Sequence, residues 1–461
     1  MAESTMSKAT KIKWIVTIVL TLAVYLIPTN DIYTKQISLF FTVTVFGLLL
    51  MAFEFFDPLV VSVVMPMGWV LFGVTNAAGA MSGWTNSIIY MCVGAYFMAN
   101  ALEETGLLRR VAVAILSKMG NGWTVLLFGI FFASLVLTIM TFGMAYIIMA
   151  TLCVGMIKSL DLKLQSREAA LIGFACLLGS CCTRSAVYTP ANYGMTIAQA
   201  QLVDPTFMVS PLQAMMHNWP MILVCMISLF VVSKIWKVDI SLKGSEYFKA
   251  ELKDMGKMSV KEKKSSIFMV IFFALLIATP VLKVDPNLLF ALAPWVLLLP
   301  GINVATEHSI RHLNWQSVFF IGACMAIGNV ATQLGIGDII AKVAMPIMTN
   351  LSTLGFFGME FAMTFVLNFF MTPLAIWSLT TVPMCQIALE AGMSLYPVVY
   401  GLIVSSEAIF LPYEFIPYLV VYSFGMMSMS DFIKFNLVRC VIFLLGILFL
   451  LVPYWMIIGL L

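Results

Sequence analysis

Charge is what this sequence has least of. Only 10% of its 461 residues are Asp, Glu, Lys or Arg, while 62% are hydrophobic and the mean hydropathy is +1.02. A water-soluble domain carries about 25% charged residues, so this chain cannot cover a surface that faces water. That excludes a soluble enzyme, a nucleic-acid-binding domain and a disordered scaffold, and a net charge of +3 gives no basis for a polyanionic partner. The alternation expected of a transmembrane β-barrel is missing too, because Trp14–Ile27 and Val441–Met456 are continuous apolar runs. No CxxC pair occurs among the nine cysteines, which lie in or beside apolar stretches and read as small buried hydrophobes. HExxH, GxSxG and a His-rich helix are all absent, so nothing points to a metal centre or to a membrane enzyme. The histidines, His217, His308 and His312, fall near expected span ends. No small-residue cleavage site follows Tyr25-Leu26-Ile27-Pro28, and the first apolar run therefore reads as an uncleaved span.

What is present is a succession of apolar segments of membrane-crossing length. The fold class is an all-α polytopic membrane protein with about eleven transmembrane helices and two re-entrant hairpins in two inverted repeats. Lysine and arginine cluster at Lys8/Lys11/Lys13, Arg109/Arg110/Lys118, Lys158/Lys163/Arg167 and along Lys234–Lys264. Placing these clusters in the cytoplasm gives a multi-pass cell-membrane protein with its N-terminus cytoplasmic and its C-terminus external. Residues 123–157 then begin and end inside, which predicts an inner hairpin turning at Thr141-Phe142-Gly143. The divisions that follow are N-terminal scaffold spans at 1–83 and a first repeat at 84–236. A solvated cytoplasmic linker occupies 237–266, scaffold spans follow at 267–314, and a second repeat at 315–461 has its outer hairpin near 345–390.

The repeat is visible in the residues. Trp84-Thr85-Asn86-Ser87 corresponds to Trp315-Gln316-Ser317-Val318, and Leu135-Val136-Leu137 to Phe365-Val366-Leu367, at an offset of about 230 (84 to 315, 135 to 365). Crossing counts give the two copies opposite orientation, the architecture of secondary transporters whose site lies between the repeats. Helix breaks mark such a site, because irregular backbone at membrane depth survives only where it is buried or lines a cavity. Four breaks are expected: the hairpin tips at Thr141-Phe142-Gly143 and Met371-Thr372-Pro373, and the interrupted spans at Thr183–Asn192 and Glu414–Tyr418.

These breaks supply the candidate substrate-binding residues: Thr141, Phe142, Gly143, Met144, Thr183, Arg184, Thr189, Pro190, Asn192, Thr372, Pro373 and Leu374. An ionisable side chain at membrane depth costs about 2.5–3.5 kcal/mol on insertion scales, which singles out Arg184, Glu407 and Glu414. A guanidinium suits a carboxylate, sulfonate or phosphate, so Arg184 either binds an anion directly or makes a salt bridge to Glu407 or Glu414. The candidate ion-coupling residues are Glu407, Glu414, Thr141 and Thr372, the carboxylates because burial lets them titrate.

Further segments carry a family resemblance over roughly residues 35–455. They are Ala101-Leu102-Glu103-Glu104-Thr105-Gly106-Leu107 and its counterpart Thr332-Gln333-Leu334-Gly335-Ile336, Thr189-Pro190-Ala191-Asn192, and Asp431-Phe432 after Val421-Tyr422-Ser423-Phe424-Gly425. Together they resemble the divalent-anion:sodium symporter family within the wider ion-transporter superfamily. The resemblance implies eleven spans plus two re-entrant hairpins, in a dimer of scaffold and moving transport domains. It also implies Ser-Asn-Thr at each tip, holding sodium and substrate carboxylates, where this sequence has Thr141-Phe142-Gly143 and Met371-Thr372-Pro373. The expected function is secondary active transport of a small carboxylate-type organic anion by an elevator-like motion. Coupling would be to sodium, protons or counter-substrate, with no other cofactor. The expected partners are the substrate, the lipid bilayer and a second copy of the chain. The alternatives are a cation/proton exchanger and a non-transporting receptor or enzyme.

Overall fold

Runs of Leu, Val, Ile and Phe give the backbone no polar partner but itself, and in a bilayer the helix is the local solution. The computed structural model describes residues 8–461 except 54, 121, 239–243, 338, 340, 341, 343–345, 347, 349, 350 and 370. Among the described residues the chain is helical throughout, without strands. Helices at Trp123–Thr141, Arg167–Ala200 (broken midway), Trp315–Gln333 and Met429–Ile457 are long and apolar enough to cross a membrane. A further pair, Pro211–Asn218 and Pro220–Ile235, does so if its 50° bend is counted within one span; Pro220 at the joint removes a helical hydrogen bond and accounts for the bend. Apolar side chains such as Ile12, Ile15, Val19 and Leu22, or Ile267, Val270 and Ile271, are exposed outward, as lipid contact requires. All nine cysteines are buried free thiols.

Helix starts show the repetition best. Asn86 and Asn314 cap the helices Ser87–Glu104 and Trp315–Gln333, and Ser166 and Ser394 cap Arg167–Ser180 and Leu395–Ser405. Both pairs lie 228 positions apart (86 to 314, 166 to 394). A short side-chain acceptor is needed wherever a helix exposes its first N–H groups, and the chain meets that need twice in the same register. Each of the two pre-hairpin helices then turns at a left-handed glycine, Gly106 (φ 78°) and Gly335 (φ 68°).

Two packing centres hold these elements. The larger joins both hairpins, both broken spans and the last helix. In the smaller, Phe40, Leu50, Val61, Met65 and Trp69 of the N-terminal helices close on Ala323, Ala326, Ile327 and Val330 of Trp315–Gln333. The N-terminal spans thus lean on the second half of the chain.

The segment 237–266 is more ordered than a solvated linker. Residues 239–243 lie outside the described set, but Gly244–Asp254 is a helix with Phe248 buried. Arg109 binds Glu251 at 2.5 Å and Arg110 binds Glu262 at 2.6 Å. Arg110 also donates to the carbonyls of Gly256 (2.8 Å) and Met255 (3.0 Å). The apolar side of the linker helix and the arginine pair of Leu107–Ser117 together dock the segment on the first half.

Burial alone would raise the pKa of Glu262, but hydrogen bonds from Arg110 and Ser259 and the Arg110 charge outweigh it and hold the carboxyl below its ordinary 4.5. A depressed carboxyl stabilises the fold above its unfolded value and loses that contribution as pH falls through its folded value. Arg110→Met should therefore destabilise the purified protein by about 2 kcal/mol at pH 7, the scale of charge-assisted hydrogen bonds. The difference from wild type, read as melting temperature in detergent, should shrink as pH is taken well below 4.5.

Candidate functional site

Each hairpin stops at a break that its own residues enforce. In the first, Trp123–Thr141 ends with Phe142 in the left-handed region (φ 50°) and Gly143 at φ 97° before Tyr146–Ser159 returns. The Thr141 hydroxyl donates to the Leu137 carbonyl (2.8 Å) and accepts from the Met144 N–H (3.2 Å), so it shapes the tip rather than facing a ligand. In the second hairpin, Thr353–Asn368 and Pro373–Glu390 flank the break, and Pro373 begins the return helix. The Thr372 hydroxyl is buried without a partner. Residues 345, 347, 349, 350 and 370 of the expected hairpin fall outside the described set.

The broken spans lie against these tips. Arg167–Ser180 gives way to a tight turn at Cys182–Ser185, an irregular stretch, and a wide turn opened by Pro190. Thr138 of the first hairpin reaches the carbonyls of Gly179 (3.3 Å) and Ser180 (3.5 Å) at this break. The second break lies earlier than the residues predict. Helix Leu395–Ser405 has ended before Glu407, and Ile416 already starts the next helix, so the interruption covers 406–415 rather than Glu414–Tyr418. The reason is tertiary. Asn368 Nδ2 donates to the carbonyls of Ser406 (3.0 Å) and Ala408 (3.4 Å), and Arg439 donates to those of Glu407 (2.8 Å) and Ile409.

Arg439 is fully buried. Besides those two carbonyls it engages Asn436 Oδ1 (2.9 Å), the Tyr418 hydroxyl (3.2 Å) and Cys182 Sγ (3.4 Å). It therefore ties the second break to the first. Residue-type reasoning does not single it out, although an arginine on the last membrane helix meets the same cost as Arg184. Glu360, buried among apolar neighbours on Thr353–Asn368 with both carboxyl oxygens unpartnered, is missed for the same reason.

The first tip, both broken spans and the start of the helix after the second tip meet at one small chamber of about 60 Å³. Phe142, Gly143 and Met144 come from the first tip, and Arg184, Thr189 and Pro190 from the first broken span. Leu374 comes from the second hairpin, and Phe415, Ile416 and Pro417 from the second break. Tyr96, Tyr146, Ala191, Asn314, Ser317, Phe320 and Ile321 complete the wall. Thr141, Thr183, Asn192, Thr372 and Pro373 do not line it. Thr183 bonds the Gly179 carbonyl (2.5 Å), and Asn192 supports Arg184 from behind. A second cavity of about 440 Å³ shares Phe320 and Ile416 with the chamber and contains Thr372, Asn368, Asp57, Tyr413 and Glu414.

Arg184 is 5% exposed. Its Nη2 donates to Asn192 Oδ1 at 2.7 Å, its guanidinium lies 4.7 Å from the Phe415 ring centre, and its Nε has no partner. The salt bridge to Glu407 or Glu414 is not formed, because both carboxylates are engaged elsewhere. Glu407 accepts from the Tyr418 hydroxyl (2.7 Å), and Glu414 from the N–H groups of Phe410 (3.1 Å) and Leu411 (3.2 Å). Glu407 lines neither cavity; Glu414 joins Thr372 in the larger one. Among the described residues no group of three or more His, Cys, Asp and Glu is placed to hold a metal.

Residues 48–405 match the citrate transporter family. The chain belongs to that family. It is a membrane transport protein and not an enzyme, and the family lies in the ion-transporter superfamily that the residues resemble. Among curated relatives, the L-tartrate/succinate antiporters of Escherichia coli K12 and Shigella flexneri are each 33% identical over 70 residues, 15% of this chain. That match spans 14% of the antiporters' own length. Over nearly the whole chain the fold is similar to the solved structure of Neisseria gonorrhoeae MtrF, reported as illuminating a class of antimetabolite efflux pumps. The TM-score is 0.56 at 14% identity, covering 98% of this chain and 95% of MtrF.

Two substitutions test this candidate site. A Cβ on Gly143 would lie 3.0 Å from Thr189 Cγ2 and 3.2 Å from Arg184 Nε, on a backbone that side chains rarely adopt. Gly143→Ala should therefore reduce transport about tenfold or more while leaving membrane insertion intact, the strain being about 1–3 kcal/mol. Arg439→Met should leave the Glu407 and Ile409 carbonyls with only the Ile409 N–H and the Cys440 thiol as donors and lower stability by about 1–3 kcal/mol, read as a loss of melting temperature in detergent.

Proposed function

We propose that the chain is a secondary active transporter of a small carboxylate-type organic anion. One observation carries the reading: the first hairpin tip, both broken spans and the start of the helix after the second tip converge on a chamber whose single charged group among the described residues is Arg184. Helix breaks at depth are tolerated where they serve a cavity, and a buried guanidinium with an unpaired N–H calls for an acceptor. Membership of a transporter family adds to this.

Alternating access is assigned to an elevator-like shift of the hairpins and broken spans, inverted copies of one another, in each protomer of a homodimer. The lysine-rich N-terminus lies in the cytoplasm and the C-terminus outside. What supports the shift is the seam at the first tip, where the Phe142 ring meets Phe290 at 4.5 Å and Phe272 and Phe273 at 5.8 Å. Coupling is assigned to Glu414 and Thr372, which face the same larger cavity. Substrate and coupling ion then set direction by binding one conformation better than the other.

Purified protein in proteoliposomes tests the proposal. Labelled carboxylates should accumulate when a sodium gradient, a pH gradient or internal counter-substrate is supplied, and the effective gradient identifies the coupling. Arg184→Gln should lower uptake about a hundredfold, the worth of roughly 2.7 kcal/mol of charge-assisted bonding. Uptake unchanged in that variant would remove Arg184 from the anion site, and no uptake under any gradient would reject transport of carboxylates.

A further inference from the structure

We infer that the chamber is built for an organic anion with a single carboxylate on an apolar or aromatic body, and that it discriminates against di- and tricarboxylates. The inference rests on the reading that Arg184 holds the transported anion, and it narrows the substrate class of that site.

The first argument is the charge in the lining. Arg184 is the only charged side chain among the residues described around the chamber. Facing it are the rings of Tyr96, Phe142, Tyr146, Phe320 and Phe415, which offer dispersion and quadrupole contacts to an apolar or aromatic body. Tyrosine hydroxyls, Ser317 and Asn314 can meet neutral polar substituents, but among the described residues no second cation is there to neutralise a second carboxylate. A carboxylate buried without a cation costs several kcal/mol.

The guanidinium itself is the second argument. Nη2 is held by Asn192 at 2.7 Å, and the Phe415 ring lies 4.7 Å from the guanidinium carbon. Of the guanidinium's donors, Nε remains buried and unpartnered. That is acceptor demand for one carboxylate group, not for three.

The adjoining space supplies a third. Beyond Phe320 and Ile416, which border both cavities, the larger one carries Asp57 and Glu414 and no basic residue among those described. An anion with a second carboxylate projecting that way would meet the Asp57 carboxylate and no counter-charge. A longer polyanion therefore finds no counter-charge in the chamber and an acidic residue in the adjoining space.

The test is competition for uptake in proteoliposomes holding the full chain. Benzoate, phenylacetate and pentanoate would be compared with succinate, tartrate and citrate at pH 7.5, each at graded concentration. The proposal expects the monocarboxylates to compete at least tenfold better, and Ser317→Arg, which adds a cation to the wall, to shift the preference toward succinate by tenfold or more. If Ser317→Arg does not fold, the wild-type series decides alone. Better competition by succinate, tartrate or citrate, with uptake still abolished in Arg184→Gln, would overturn this inference and leave the anion site standing. Uptake indifferent to Arg184→Gln would remove the anion site and this inference with it.

Discussion

A guanidinium sealed from water must be given acceptors by the chain, and Arg439 finds them only where two broken helices meet. Its partners include backbone carbonyls of Glu407 and Ile409 on one side and Cys182 on the other. Those carbonyls are available because the helix has stopped, and the helix can stop at that depth because Arg439 and Asn368 take the carbonyls it releases. Neither side is stable without the other. The position of Phe415 beneath Arg184, and so the shape of the chamber, follows from where this break falls.

The two halves solve the same problem with different side chains. Thr138 enters the first break and Asn368 the second, each from the outgoing arm of its own hairpin. The halves part ways at the tips. Gly143 permits close approach to Arg184, whereas the second tip leaves the Thr372 hydroxyl buried and unmet beside a larger and more acidic space. The repeated framework thus presents one cationic and one acidic face within a few side chains of each other.

The polytopic helical class and the positions of both tips were legible in the residues for a simple reason. Glycine, proline and threonine interrupting a long apolar run are hard to explain otherwise, and Arg184 stands out against 10% charged residues. The second break was legible only approximately. Nothing local in Ser405-Ser406-Glu407 ends a helix, and the end is imposed by Asn368 and Arg439 from elsewhere in the chain. Arg439 itself was hidden by its neighbours, since Asp431, Lys434 and Asn436 make the start of its helix look like an ordinary polar span end. Glu360 sits in a helix apolar enough to mask one carboxylate. For Arg184 the residues allowed either an anion or a carboxylate partner, and only geometry shows that Glu407 and Glu414 are already engaged.

Phe142 has a consequence of a mechanical kind. Its left-handed backbone turns the ring into a pocket made by Phe272, Phe273 and Phe290. Ring contacts are held by dispersion, which is short-ranged but has little directional preference beside a hydrogen bond. A surface of this sort behaves as a lubricated bearing: its friction is set by the corrugation of the rings and not by bonds that must rupture. Under the elevator-like shift proposed above, load would be carried at the tip while resistance to sliding stayed small.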